Sequence, residues 1–181
     1  MAECLRRYFN IVPVFFPVVG LNSLQYFWKR RTPEESAKDL NRIIAHYLAA
    51  WQKEQVLLIG YSLGADVLPF MADRLPKEFL GRIALIALLG PDETVDFEFH
   101  LSDWLGGPSG SRALPLLPEI EKLRGQKILC FCGERESASL CRKLDANLAT
   151  VIVLKGSHHF GGNYEAIADA ILSEYRNAPR R

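Results

Sequence analysis

The chain contains 181 residues, of which 49% are hydrophobic, and its 22 Lys and Arg residues nearly balance its 21 Asp and Glu residues. This composition excludes a disordered chain, and a net charge of +1 argues against a nucleic-acid partner, because nucleic-acid binding depends on clustered positive charge. No apolar run is long enough to cross a bilayer. We therefore expect one folded domain over 1–181, with a frayed basic tail at 177–181.

The first apolar segment, 11–20, follows Arg6 and Arg7 and so resembles the first two regions of a secretory signal peptide. Two prolines interrupt the segment, and no good cleavage pattern of small residues follows it. We therefore interpret 17–21 as a buried strand rather than as part of a leader.

Short apolar runs rich in Val, Ile and Leu alternate with longer segments of helical periodicity. This alternation is typical of parallel strands covered by helices. The predicted strands are 17–21, 55–59, 83–89, 127–131 and 150–154. The fold class is therefore α/β, with a mostly parallel sheet flanked by helices.

Two segments have the apolar spacing of amphipathic helices. The first begins at Thr32, where an N-cap residue, a following proline and the capping-box acid Glu35 occur together. The predicted buried positions are Ala37, Leu40, Ile44, Tyr47 and Trp51 in the first helix, and Tyr164, Ile167, Ala168, Ile171, Leu172 and Tyr175 in the second.

The segment 92–118 is rich in Gly and Pro and carries the aromatic residues Phe97, Phe99 and Trp104. We expect it to leave the sheet and return. Long irregular segments of this kind form either binding loops or plain surface loops.

Ser62 follows the second predicted strand in the pattern Gly-x-Ser-x-Gly, which is the nucleophile elbow of α/β hydrolases. The turn is so tight that its neighbours must be small, and Gly60, Gly64 and Ala65 meet that requirement. The amide of Leu63, at the start of the next helix, is then positioned to donate to an oxyanion. The alternative is a structural Gly-rich turn.

A serine nucleophile needs a base, and the hydrolase order of Ser, acid and His places that base after the last strand. His158 and His159 lie there. We favour His158, because Phe160 completes a His-x-Phe pattern often seen at this position, and His159 remains the alternative. His46 and His100 do not fit the order and are interpreted as surface or packing residues.

The acid is expected after the strand 127–131, where Glu136 has the hydrolase spacing. Its carboxylate would hold the imidazole tautomer and stabilise imidazolium. Asp96, after the preceding strand, is the alternative acid, and a solvated charged turn is the structural alternative. This chemistry needs neither a metal ion nor an organic cofactor.

Four stretches, 17–34, 57–70, 96–100 and 156–160, carry a resemblance to a known family. They resemble the VirJ and AcvB family of bacterial proteins, which are α/β-hydrolase-like domains associated with virulence and envelope lipid metabolism. The resemblance implies an ester substrate, the aminoacyl ester of lysyl-phosphatidylglycerol, hydrolysed at the periplasmic membrane surface. For VirJ-like members it implies association with type IV secretion components.

A lysyl headgroup would need carboxylates near its ammonium groups, and Asp66, Asp96 and Glu98 are the candidates. Each of them is also explained by an ordinary surface charge. Candidate contacts for the remainder of the substrate are Tyr61, Phe97, Phe99 and Trp104. The loop aromatics would otherwise pack the loop onto the sheet.

The family has a strand and a Gly-rich loop upstream of 17–20 that supply a second oxyanion donor, and only sixteen residues precede Pro17. We therefore expect the early strands to be missing and the activity to be weak or lost if the chain is complete. The alternative function is a non-catalytic, secretion-associated interaction protein. The resemblance implies a periplasmic location, whereas the lack of a clear signal peptide implies a cytoplasmic one for a complete chain.

The resemblance further implies a disulfide between Cys130 and Cys141, on either side of the turn that carries the acid. Cys4 and Cys132 are expected to be free thiols.

Overall fold

The computed structural model describes residues 16–98 and 113–177. Its main sheet contains four parallel strands in the spatial order β1 (Val56–Tyr61), β2 (Ile83–Leu89), β5 (Ile128–Gly133) and β6 (Thr150–Leu154). A separate antiparallel pair consists of β3 (Thr94–Val95) and β4 (Leu114–Pro115). Because the four main strands are parallel, their carboxyl ends meet at one edge of the sheet.

Helices lie before, between and after the parallel strands. In chain order they are α1 (Ser23–Tyr26), α2 (Pro33–Ala50), α3 (Leu63–Ala72), α4 (Lys77–Leu80), α5 (Leu117–Lys122) and α6 (Tyr164–Arg176), with 3-10 turns at Leu140–Lys143 and Phe160–Gly162.

The side chains of β2 show how the helices cover both faces of the sheet. Ile86 and Leu88 pack in the core cluster that contains α2, α3 and α5. Leu85, Ala87 and Leu89 pack in a second cluster with α6. Alternate residues of a strand point to opposite faces, so a strand that is apolar at every position is buried on both sides. The predicted α/β class, with a mostly parallel sheet between helices, is confirmed.

The start of α2 is confirmed at the predicted residues. Thr32 N donates to Glu35 Oε2 at 2.9 Å, and Glu35 N donates to Thr32 Oγ1 at 3.1 Å, which is the reciprocal capping box. Farther along, Ala37, Leu40 and Ile44 are buried as predicted.

The buried stripe of α2 ends differently from the prediction. Leu48 is buried, Tyr47 is half-buried and Trp51 is exposed. The reason is the helical period, because Leu48 lies four residues after Ile44 on the same face. In α6 the predicted Ile167, Ala168, Ile171 and Leu172 are buried, and the two terminal tyrosines are half-buried.

The predicted strand at 17–21 is wrong. The segment pairs with no described strand and leads directly into α1, and the side chains of Val19 and Leu21 are 41% and 47% exposed. A strand exists only where a neighbour accepts and donates its main-chain hydrogen bonds, and Pro17 has no N–H to offer. An apolar run alone does not supply that neighbour.

Cys130 of β5 and Cys141 of the 3-10 turn form a disulfide with a Cα–Cα distance of 5.5 Å. Cys132 is a buried free thiol, and burial raises its pKa. Cys4 lies outside the described residues.

We predict that Cys141→Ser lowers the free energy of unfolding by about 2–3 kcal/mol, because the disulfide closes a loop of sequence separation 11 and so restricts the unfolded chain. Urea unfolding measures the loss, and the reduced wild type should match the variant. Alkylation of the denatured, unreduced chain should modify only Cys4 and Cys132. Alkylation of every cysteine would contradict the disulfide.

Candidate active site

The turn between β1 and α3 holds Ser62 in a backbone conformation that serine rarely adopts, with φ 53° and ψ −127°. Hydrogen bonds fix this conformation on both sides. Ser62 N donates to Leu89 O at 2.9 Å, and Asp66 N donates to Ser62 O at 3.1 Å. The strained serine predicted from the motif is therefore present at the carboxyl edge of the sheet.

Gly60 is required by the close approach of the chain to itself. A Cβ atom at Gly60 would collide with the Gly64 carbonyl and would lie 2.8 Å from Cα of Ala65. Gly64 itself has more room, because its nearest neighbour would be Ser23 Oγ at 3.8 Å. The predicted demand for small residues is thus strictest at Gly60.

Leu63 is the first residue of α3, and its N–H donates to no described residue outside the helix. The helix has ten residues, and its first amides have no partner within the helix. The Leu63 amide is therefore available to an oxyanion formed at Ser62.

His158 and Glu136 are joined across 22 positions of sequence. His158 Nδ1 lies 2.7 Å from Glu136 Oε1, and the second carboxylate oxygen of Glu136 accepts a hydrogen bond from Gly133 N at 2.6 Å. The carboxylate is thus fixed by the end of β5 while it holds the imidazole. The structure brings together the base and the acid that the sequence order indicates.

The alternative acid, Asp96, lies beside Arg30. Its carboxylate is 3.5 Å from Arg30 Nη2 and, among the described residues, contacts no histidine. Glu134, the other acid of the predicted turn, accepts a long hydrogen bond of 3.4 Å from Gly156 N instead of meeting a histidine.

His159 is bound differently from its neighbour. Its Nδ1 lies 2.8 Å from the Tyr61 hydroxyl. Burial first, and then Tyr164 and Glu136, raise the pKa of Tyr61 to about 12. The phenol therefore keeps its proton at neutral pH and forms a hydrogen bond with His159 Nδ1. Of these two histidines, only His158 has a carboxylate partner among the described residues.

Tyr61, a predicted substrate contact, lines the cleft and also lies against both histidines. Besides His159, the hydroxyl approaches the main-chain oxygen of His158 at 3.4 Å, and the Tyr61 ring centroid lies 5.2 Å from that of His158. The residue before Ser62 therefore packs against His158.

The end of β2 lies between the turn that carries Ser62 and the ring of His158. Leu89 O accepts the Ser62 amide, and a Cβ at the next residue, Gly90, would lie 2.8 Å from both Cε1 and Nδ1 of His158. Within the described residues the Ser62 hydroxyl makes no hydrogen bond.

Ser62, His158 and His159 line one open cleft of about 2060 Å³. The cleft continues from the carboxyl edge of the sheet along β1 to Tyr175 of α6. The exposed apolar side chains of Val19, Leu21 and Leu24 also border it.

Phe97 does not face a substrate. It is 3% exposed and packs edge-on against Phe27 and Phe70, with ring centroids 5.5 and 5.2 Å away. The structural alternative is therefore correct for this residue. Phe99, Trp104 and His100 lie outside the described residues.

The three predicted ammonium-binding carboxylates are already engaged. Asp66 is buried, accepts a hydrogen bond from Asp92 N at 2.7 Å, and has its pKa raised well above the usual range by that burial. Asp96 and Glu98 both lie near Arg30, at 3.5 and 4.0 Å. The prediction that these groups meet a cationic substrate is not supported by their contacts.

Sequence reasoning missed Asp92, which lines the cleft two residues after Gly90. Its side chain forms no hydrogen bond or ion pair with a described residue. Desolvation raises the pKa of Asp92, the nearby His158 lowers it, and Glu136 raises it further. Its place just after the carboxyl end of a parallel strand is the signal that could have identified it.

Within 16–98 and 113–177, no group of three or more His, Cys, Asp or Glu side chains is arranged to hold a metal ion. The same residues include no helix with the length and apolar character that crossing a bilayer would require.

Residues 10–179 match the sequence model of a family described as bacterial virulence protein VirJ. The sequence has no significant match among curated proteins.

Several solved structures are similar to this chain. MenH from S. aureus aligns with a TM-score of 0.59 and 16% identity, over 88% of this chain and 79% of that chain. Proline iminopeptidase from Mycobacterium smegmatis aligns with a TM-score of 0.55 and 10% identity, over 90% of this chain and 75% of that one.

A third structure, a CIB-like hydrolase from Thermoplasma acidophilum, has a TM-score of 0.51 and 16% identity, and the match covers 81% of this chain and 60% of that chain. This chain therefore spans about three fifths of that protein's length. At such identities the likeness shows the fold, and the predicted α/β-hydrolase-like fold is confirmed.

We predict that Gly90→Ala slows the labelling of Ser62 by a fluorophosphonate probe at least about tenfold, because the added Cβ displaces the His158 ring and sub-ångström errors of geometry are costly in such sites. Intact mass spectrometry follows the labelling. Gly125→Ala is the matched control, since Gly125 also has a positive φ but no atom within 4 Å of its Cβ position. Equal slowing in both variants would contradict the prediction.

Proposed function

We propose that this chain, which belongs to the VirJ family of bacterial virulence proteins, is a serine hydrolase that cleaves an ester through Ser62, His158 and Glu136. The observation that carries the proposal is the 2.7 Å contact between His158 Nδ1 and Glu136 Oε1, at the sheet edge where the strained turn presents Ser62.

The proposed reaction begins with the His158 tautomer. Because Nδ1–H donates to Glu136, Nε2 is unprotonated and can take the proton of the Ser62 hydroxyl. The serine oxygen then bonds to the ester carbonyl carbon, and the Leu63 N–H donates to the oxygen that becomes negative. The imidazolium, stabilised by the Glu136 carboxylate, gives its proton to the departing alcohol as the C–O bond breaks.

The second half of the reaction regenerates the enzyme. A water molecule gives a proton to His158 and attacks the acyl-serine carbonyl, and the acid product leaves as the proton returns to Ser62. The chain's own side chains carry every proton in this cycle.

The proposed substrate is the aminoacyl ester of lysyl-phosphatidylglycerol, at the periplasmic face of a membrane. An aminoacyl ester is an activated acyl donor that a serine nucleophile can attack. The exposed apolar side chains of Val19, Leu21 and Leu24 border the cleft and give a lipid a surface to contact. The family resemblance, rather than the cleft, supplies the identity of the headgroup.

The headgroup's ammonium groups are assigned to Asp92. This carboxylate lines the cleft near His158, whereas Asp66, Asp96 and Glu98 have partners within the protein. A carboxylate held in the cleft would favour a cationic acyl group over a neutral one of the same size.

We predict that Ser62→Ala abolishes hydrolysis of p-nitrophenyl acetate and of lysyl-phosphatidylglycerol in vesicles, with a loss of about 10³-fold or more in kcat, because the nucleophile is gone. Absorbance measures the first substrate, and mass spectrometry of released lysine measures the second. Ser23→Ala is the control, since it removes another hydroxyl from the same cleft.

Equal rates for the wild type and Ser62→Ala would defeat the catalytic proposal. The alternative function, a non-catalytic protein that binds type IV secretion components on a hydrolase scaffold, predicts that neither protein hydrolyses either ester. Hydrolysis of the p-nitrophenyl ester but not of lysyl-phosphatidylglycerol would support the serine-hydrolase activity and contradict the proposed lipid substrate.

We predict that Asp92→Asn raises KM for a lysyl ester about tenfold relative to a norleucyl ester of the same alcohol, because the cationic side chain loses its carboxylate partner. The ratio between the two substrates cancels any effect of Asp92 on His158. Glu93→Gln is the matched control, since Glu93 is paired with Lys143 outside the cleft. An unchanged ratio in Asp92→Asn would remove Asp92 from substrate binding.

A further inference from the structure

Three main-chain carbonyl groups of the turn that carries Glu136 converge on one guanidinium. Arg142 Nε donates to Glu136 O at 2.8 Å, and Arg142 Nη2 donates to Glu134 O at 2.8 Å and to Gly133 O at 3.2 Å. Sequence reasoning gave Arg142 no role. A planar guanidinium with several fixed N–H groups is the side chain best suited to collect such acceptors.

The path of this turn determines where the acid lies. Gly133 ends β5, Glu136 N donates to Gly133 O at 3.0 Å, and the Glu136 carboxylate reaches back to Gly133 N. Carbonyl oxygens pointing at one place repel one another unless a cation or donor lies between them. Arg142 supplies both the charge and the donors, so the turn keeps the shape that aims Glu136 at His158.

Arg142 is itself anchored to two other parts of the site. The residue before it, Cys141, is bonded to Cys130 of β5. Upstream in the same segment, Leu140 N donates to Pro91 O at 3.0 Å and Ser139 Oγ donates to the same oxygen at 3.1 Å. Pro91 follows Gly90, which lies against the His158 ring.

We propose that Arg142 is a positioning residue that acts through Glu136. Its guanidinium, anchored by the Cys130–Cys141 disulfide, holds the turn 133–136, called the acid turn below, in one conformation. In that conformation the Glu136 carboxylate lies against His158 Nδ1. This inference rests on the proposed function only in naming Glu136 as the catalytic acid. Arg142 is not among the described residues that line the cleft.

A loosened acid turn has a defined electrostatic consequence. The titratable groups around the His158 ring are Glu136, Asp92, Tyr61 and His159. Of these, Glu136 alone is hydrogen-bonded to the ring. When its carboxylate moves away, the imidazolium is less stabilised and gives up its proton more readily. The acidic limb of the profile of kcat/KM against pH then moves to lower pH.

The first test compares Arg142→Gln with Arg135→Gln. Arg135 lies in the same turn, is exposed, and has a side chain that bonds to no described residue, so it controls for the change of charge. With a p-nitrophenyl ester, Arg142→Gln should lower kcat about ten- to a hundredfold with KM little changed, and should move the acidic limb to lower pH. Arg135→Gln should do neither.

Arg142→Lys keeps the charge but replaces the planar fork with one ammonium group. It should retain folding, measured by urea unfolding, and give a kcat between those of the wild type and Arg142→Gln. A kcat in Arg142→Lys equal to that of the wild type would contradict the positioning role of the planar guanidinium. This result would settle the question even if Arg142→Gln did not fold.

The second test needs no turnover. The proton on His158 Nδ1, shared with Glu136, should give a downfield resonance in the proton NMR spectrum, which Glu136→Gln removes. Arg142→Gln should shift this resonance upfield or broaden it by exchange with water, and Arg135→Gln should leave it unchanged. An unaltered resonance in Arg142→Gln overturns the positioning role. Absence of esterase activity in the wild type, with the NMR result as expected, would instead reject the proposed function and keep the role of Arg142.

Discussion

The candidate site depends on one steric constraint, the contact of the chain with itself at the turn between β1 and α3. Gly60 passes so close to Gly64 and Ala65 that no side chain fits on it. That approach forces the strained conformation of Ser62, whose amide is held by Leu89 of the neighbouring strand. A hydroxyl is thereby lifted above the sheet edge beside the first amide of a helix, which is the arrangement that acyl transfer needs.

The remainder of the site is brought to this turn by the parallel sheet. Glu136 follows β5 and His158 follows β6, and because those strands are adjacent and parallel, the two residues meet although they are far apart in sequence. Hydrogen bonds from two directions hold the pair. On the side of Ser62, the Tyr61 hydroxyl forms a hydrogen bond with His159. On the other side, Arg142 donates to the carbonyl groups of the acid turn. The disulfide ties Arg142 to the strand from which the acid turn emerges.

Four carboxylates at the carboxyl edge of the sheet border the cleft, and they differ in their partners within the protein. Asp66 holds the loop after β2 through the amide of Asp92, and its buried carboxylate has a raised pKa. Asp96 and Glu98 lie near Arg30. Asp92 lines the cleft near His158, and its carboxylate forms no hydrogen bond or ion pair with a described residue. The proposal of a cationic, amphiphilic ester as substrate rests on this distribution.

Local patterns in the sequence were enough to identify the α/β class, the capping box at Thr32, the elbow at Ser62 and the chain order of acid and base. Each of these is set by residues near one another in the chain, through period, steric size or a short hydrogen bond. The tertiary structure alone decided which acid meets which histidine, because the distance between Glu136 and His158 depends on strand order. It also determined that 17–21 pairs with no described strand, that Phe97 packs in the core and that Arg142 donates hydrogen bonds to the acid turn. A side chain's neighbours from distant segments, and hence its charge state and role, are properties of packing that no local pattern contains.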